Sequence, residues 1–128
     1  MDYYFEKQVN YPMEETIEKI GDFLKTHGFG ILTQIDVQKT LKDKVGAEIK
    51  PYRILGACNP YFAHEAIGKE SNVGLMLPCN IVVREDSDGQ TYVAAVNPER
   101  TIKTIGNDEL SFLATRVRDV MEALIASI

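Results

Sequence analysis

The chain contains no tryptophan and, in 128 residues, only two cysteines (Cys58, Cys79) and two histidines (His27, His64). Two cysteines cannot make the framework of a disulfide-dense secreted scaffold. A chain of this length does not need one, because about two-thirds of its unfolded surface is buried on folding. No apolar run approaches the ~20 residues of a membrane-spanning helix. Positive charge is not in excess either: the formal net charge is −5. The densest basic run, Lys39, Lys42 and Lys44, is interleaved with Asp36, Asp43 and Glu48. Nucleic-acid binding leaves a basic stripe, so no nucleic-acid partner is expected, and a solvated helix face accounts for these lysines. Met1 to Lys7 has neither the basic nor the apolar region of a secretory signal. The expected location is the cytoplasm, with no membrane partner.

Several nucleotide, metal and hydrolase signatures are also missing. Gly28-Phe29-Gly30 lies between a helix and a strand, the reverse of the order in a dinucleotide-binding turn. There is no phosphate loop of the Walker type. Asp86-Ser87-Asp88-Gly89 lacks the later ligands of a calcium loop and reads as a hairpin turn. With two histidines and no Gly-x-Ser-x-Gly run, a serine-hydrolase triad has no support.

The composition that remains, 45% hydrophobic and 26% charged, is that of one globular domain. Tyr3 to Val9 predicts a strand. Pro12 suits the first position of a helix, along which Met13, Ile17, Ile20 and Leu24 form an apolar stripe. Gly21 beside that stripe would permit close packing on a sheet, and Gly28 closes the helix. Phe29 to Val37 alternates, predicting a half-buried strand with Ile31, Thr33, Ile35 and Val37 on one face. Asp36 then suits the cap of a short helix carrying Val37, Leu41 and Val45. Tyr52 to Cys58 is the next strand, and Asn59-Pro60 a strong helix start. That helix, to Lys69, would bury Ala63, Ala66 and Ile67. Leu75 to Glu85 is strand-like but interrupted by Pro78, and Thr91 to Val96 returns antiparallel. Arg100 to Ile105 fits a loop or a short strand. Asn107 would cap a long final helix with Leu110, Leu113, Val117, Val120, Met121, Leu124 and Ile128 inward. The economical architecture is α+β: a mostly antiparallel sheet, β-α-β(4)-α in order, with two long helices on one face. The other face must be solvated or covered in a dimer.

Two runs stand out, Gly56-Ala57-Cys58-Asn59-Pro60 and Leu77-Pro78-Cys79-Asn80. Each sets Cys-Asn at a strand end beside a proline. Both cysteines can be small buried side chains, with Asn59 as a cap. A thiol nucleophile or redox pair is a second reading, since Cys58 would precede a helix N-terminus that favours thiolate. A metal site on Cys58, Cys79 and His64 is a third, although no compact ligand spacing is present. Otherwise His64 is a solvated helix residue. The leading expectation is a small-ligand module centred on Cys58, Asn59, Pro60, Cys79 and Asn80, with Asp36 and His64 at the rim. Its occupant would be a small molecule or metal ion that the sequence does not name. The rivals are a thiol- or metal-dependent enzyme and a purely structural homodimer.

Ile54 to Pro60, followed by Gly74 to Val83, resembles the bacterial "domain of unknown function 302" family, and the likeness extends over nearly the whole chain. The resemblance implies a fold similar to the TATA-box-binding-protein-like class, β-α-β(4)-α, and a homodimer. It implies no particular chemistry, and a shared fold alone does not imply DNA binding.

Overall fold

The computed structural model describes residues 2–128. Strands β1 (Tyr4–Val9), β2 (Gly30–Asp36), β3 (Tyr52–Cys58), β4 (Cys79–Glu85) and β5 (Thr91–Val96) form one sheet, ordered β1-β5-β4-β3-β2. Every neighbouring pair is antiparallel. Helix α1 (Met13–Lys25) carries the chain from one edge strand to the other, and α5 (Ser111–Ser127) follows β5 through a helical connection. Short helices α2 (Val37–Val45), α3 (Pro60–Lys69) and α4 (Pro98–Thr101) and three 3₁₀ turns occupy the remaining connections. This is the expected β-α-β(4)-α order.

Strand periodicity sets the core. In β4 and β5, Cys79, Ile81, Val83, Val93 and Ala95 are buried and alternate with half-buried or exposed neighbours. They meet Ile20 and Leu24 of α1 and Val117, Met121, Leu124 and Ile125 of α5 in one cluster, so both long helices cover the same face. A smaller cluster, Ala66, Val73, Leu110 and Leu113, packs the connections against one another. No helix is long and apolar enough to cross a membrane.

Local chemistry explains the element ends. After α1, the Phe29 N–H reaches the Leu24 carbonyl at 2.9 Å and the Gly28 N–H reaches Lys25 at 3.3 Å. Gly28 sits at φ 76°. This is a Schellman closure, and its flanking apolar pair, Leu24 and Phe29, is buried. The hairpin turn is as expected: Gly89 lies at φ 78° and its N–H reaches the Asp86 carbonyl at 2.9 Å.

The structure also corrects several expectations. Pro12 is the N-cap of α1 rather than its first residue. The expected alternation of β2 fails because a bulge between Ile31 and Thr33 shifts the register. As a result Ile31 packs on the core while Thr33 and Ile35 turn to the opposite face, Ile35 being 48% exposed. A bulge adds one unpaired residue, which alternation counted along the sequence cannot register. Ile67 points outward, leaving Ala66 as the buried residue of α3. Leu75 and Met76 belong to a 3₁₀ turn, Val73–Met76, and not to β4. Arg100 to Ile105 is helical, in α4 and a following 3₁₀ turn. Asn107 caps a 3₁₀ turn, Asp108–Leu110, that leads into α5.

Candidate functional site

The structure brings Cys58, Asn59 and Cys79 of the two Cys-Asn motifs to one small apolar cavity and leaves Asn80 outside it. Ala57 pairs with Cys79 across β3 and β4, which puts the Cys79 side chain into the core beneath the helices. Asn80, one residue on, must then face the other side of the sheet, where it is exposed. Asn59 is a cap: its Oδ1 accepts from the Tyr61 N–H at 3.0 Å and the Phe62 N–H at 3.2 Å. Pro60 follows it in the first turn of α3. Asp36 lies at the far end of β2 from Gly30, the partner of Cys58, about 20 Å away at the usual strand rise. Its carboxylate accepts from the Lys39 N–H at 3.0 Å to cap α2, so it is not a rim residue of the cysteine region. His64 is exposed on α3. Among the described residues no three His, Cys, Asp or Glu side chains are grouped to hold a metal ion, so the set Cys58, Cys79 and His64 is not assembled. Lys39 and Lys42 pair with Asp43 at 2.9 Å and Glu48 at 3.7 Å, as a solvated helix face would.

Both cysteines are free thiols lining an apolar cavity of about 40 Å³ with Phe29, Phe62 and Leu77. Such a space holds a water or two, whereas small-molecule sites span roughly 300–1,000 Å³. Burial pushes the Cys58 thiol up. Burial, followed by the neighbouring Cys58, pushes Cys79 up to about 11. Both shifts oppose the low pKa a thiol nucleophile needs.

A different concavity, of about 420 Å³, lies on the open face of the sheet. Strand register lays this face out as a grid. One row runs Gln8, Tyr92, Arg84, Tyr52; the next runs Glu6, Ala94, Val82, Ile54, Ile35. A third begins at Tyr4 and Val96 and continues, in the same register, through Asn80, Gly56 and Thr33. Ala94, Val82 and Val96 make a low floor, with Tyr4 and Tyr52 rising on either side. Gly56 marks the limit of the hollow, because a Cβ there would lie 2.7 Å from Pro78 Cγ and would also strike Thr33 Oγ1.

Among the described residues lining this hollow, Arg84 is the one cation and Glu6 the one anion. Arg84 Nη2 donates to Glu6 Oε2 at 3.3 Å, Nη1 lies 3.8 Å from Asp86 Oδ2, and the guanidinium sits over the Tyr92 ring at 4.8 Å. Burial, with Asp88 and Asp86 adding to it, pushes the Tyr92 phenol up, so it stays a neutral donor, reaching Gln8 Oε1 at 3.3 Å. Four of the six tyrosines (Tyr3, Tyr4, Tyr52, Tyr92) are on or beside this face. Of the residues lining the hollow, only Asn80 lies in one of the two Cys-Asn runs. The missed signal was the set of alternate positions 80, 82, 84 and 92, 94, 96, which share a face once the hairpin is drawn.

The family described as Domain of unknown function DUF302 matches residues 5–128, and the chain belongs to that family. A crystal structure of an uncharacterized conserved DUF302 protein from Bacillus stearothermophilus is similar, at TM-score 0.89 and 30% identity, over 97% of this chain and 96% of that one. No curated protein matches the chain significantly.

Proposed function

We propose that the chain is a small-molecule-binding module whose site is the open sheet face, not the Cys-Asn motifs. One observation carries this reading: the 420 Å³ hollow has an apolar floor with a few convergent polar groups at its margin, the usual composition of a ligand site. The cysteine cavity, at about 40 Å³, is an order of magnitude smaller. Tyrosine suits such a margin because its ring covers apolar surface while its hydroxyl stays wet.

The test is a ligand-observed NMR screen of a small-molecule library against three proteins. Hits on the unmodified chain should vanish with Ala94→Phe, which raises a ring from the floor, and persist in the Cys58→Ala/Cys79→Ala double variant. Hits lost only in the cysteine variant would return the site to the motifs. A screen without hits would end the reading.

A second reading is a homodimer through the same face, favoured by Tyr3 and Ile35, which are 66% and 48% exposed near its opposite margins. Sedimentation equilibrium would then give twice the chain mass, reduced to the single mass by Tyr4→Glu. A monomeric unmodified chain would rule it out.

A further inference from the structure

We infer that the occupant of the open-face hollow is a zwitterion of the α-amino-acid type with a flat or branched apolar side chain, its carboxylate on Arg84 and its ammonium on Glu6. This inference rests on the open face being the ligand site. Charge complementarity carries it. The lining holds one cation and one anion, and these are already side by side, with Arg84 Nη2 and Glu6 Oε2 3.3 Å apart. A simple anion would meet Glu6, with Asp86 close behind, and a simple cation would meet Arg84. A head group carrying both charges adjacent to each other completes a ring of four alternating charges, and neither protein group has to leave its present partner.

Both groups have capacity to spare. Among the described residues, Arg84 donates one of its five N–H groups, to Glu6. Glu6 accepts that bond through Oε2, and among the described residues no hydrogen bond falls on its Oε1. Both side chains remain partly accessible, at 29% and 35%. The Tyr92 ring, 4.8 Å from the guanidinium carbon, steadies the group, and its other N–H groups are left to meet a carboxylate.

The floor fits the rest of such a molecule. Ala94 and Val82 are paired across β4 and β5 in the row beside Arg84, and Val96 lies in the row beyond. From Arg84 to Asn80 is about 13 Å along the strand, the reach of an amino acid with a large side chain. Tyr4 and Tyr52 stand three strand spacings and two rows apart, about 19 Å on the diagonal, so they rise at opposite corners of the floor.

The experiment is an amide-resolved NMR titration with three probes that share a side chain: L-phenylalanine, its amide (a cation), and its N-acetyl derivative (an anion). The inference expects shifts at Val82, Arg84, Ala94 and Val96. It expects the zwitterion to bind at least about tenfold more tightly than either capped form, each lost charge-assisted contact being worth about that much. Glu6→Gln should bring the free amino acid down to the level of the N-acetyl form, and Arg84→Gln to that of the amide, both spectra staying native. Equal binding of the free and N-acetyl acids would overturn the zwitterion and leave a carboxylate site. No shift on the open face with any of the three probes would overturn the amino-acid assignment. In that case, library hits lost in Ala94→Phe would still uphold the site itself, so the two failures can be told apart.

Discussion

The two faces of this sheet are built from the same strands, and often from neighbouring residues, yet they follow different rules. On the helix-covered face Leu55, Ile81, Val83, Val93 and Ala95 are fully buried and apolar. On the open face the intervening positions are Ile54, Val82, Arg84, Tyr92 and Ala94, a mixture that lies outside the core cluster. Residues on the first face are chosen by volume. Those on the second are under no such volume constraint. The two conspicuous sequence motifs straddle the divide, with Cys79 on one side and Asn80 on the other.

The two faces separate most clearly when adjacent residues of β4 are shortened. Ile81→Ala should cost about 2–5 kcal/mol by urea denaturation, whereas Val82→Ala should cost under about 1 kcal/mol. Similar costs would mean that the open face is covered as the core is. Next in size is a pH effect confined to the helix side. Cys79 ionises near 11 when folded and near its ordinary 8.5 when unfolded, so the unfolded chain loses its proton first. Stability should fall by about 3 kcal/mol as pH rises between those values, and Cys79→Ala should lack that part of the decline. Equal slopes in the two proteins would show a solvated thiol.

Gly56→Ala sharpens the boundary of the open face. The added methyl collides with Pro78 and Thr33, an overpacking worth about 1–3 kcal/mol, and a neutral outcome would show that Pro78 swings away freely. The smallest effect separates a cap from a ligand group. Asn59→Ala should cost about 1 kcal/mol and leave binding on the open face unchanged, whereas weakened binding would restore Asn59 to the site.

Much of the fold was legible because its signals are local. Tyr52 to Cys58, Thr91 to Val96, the Asp86–Gly89 turn and the Asn59-Pro60 start each carry their own chemistry, and each appears where expected. The same Asn-Pro signature recurs at Asn97-Pro98 and went unread. There Asn97 caps α4 and, fully buried, donates to the Asp2 carbonyl at 3.3 Å. The bulge of β2 was not legible, since one extra residue leaves the composition unchanged while reversing every side chain after it. The open-face hollow was hidden for another reason. Glu6, Tyr52, Arg84 and Ala94 come together only when strands from both ends of the chain are paired, and no local pattern marks them. Cys79 and Asn80 offered a lesson available from the start, because consecutive residues of a strand cannot serve one site through their side chains.

The position of β1 also sets a timetable. Strands β2 to β5 are each neighbours in sequence and in space, but β1 waits for β5, with Tyr4 pairing with Val96 and the Asn97 N–H reaching the Tyr3 carbonyl at 2.7 Å. Closing that long loop is entropically costly, so the meander of β2 to β5 is expected to form first and β1 to dock last, an order that pulsed amide exchange during refolding would read. On the ribosome the N-terminal strand emerges with no partner until its mate has been synthesised, and only then do Tyr4 and Glu6 complete the open face.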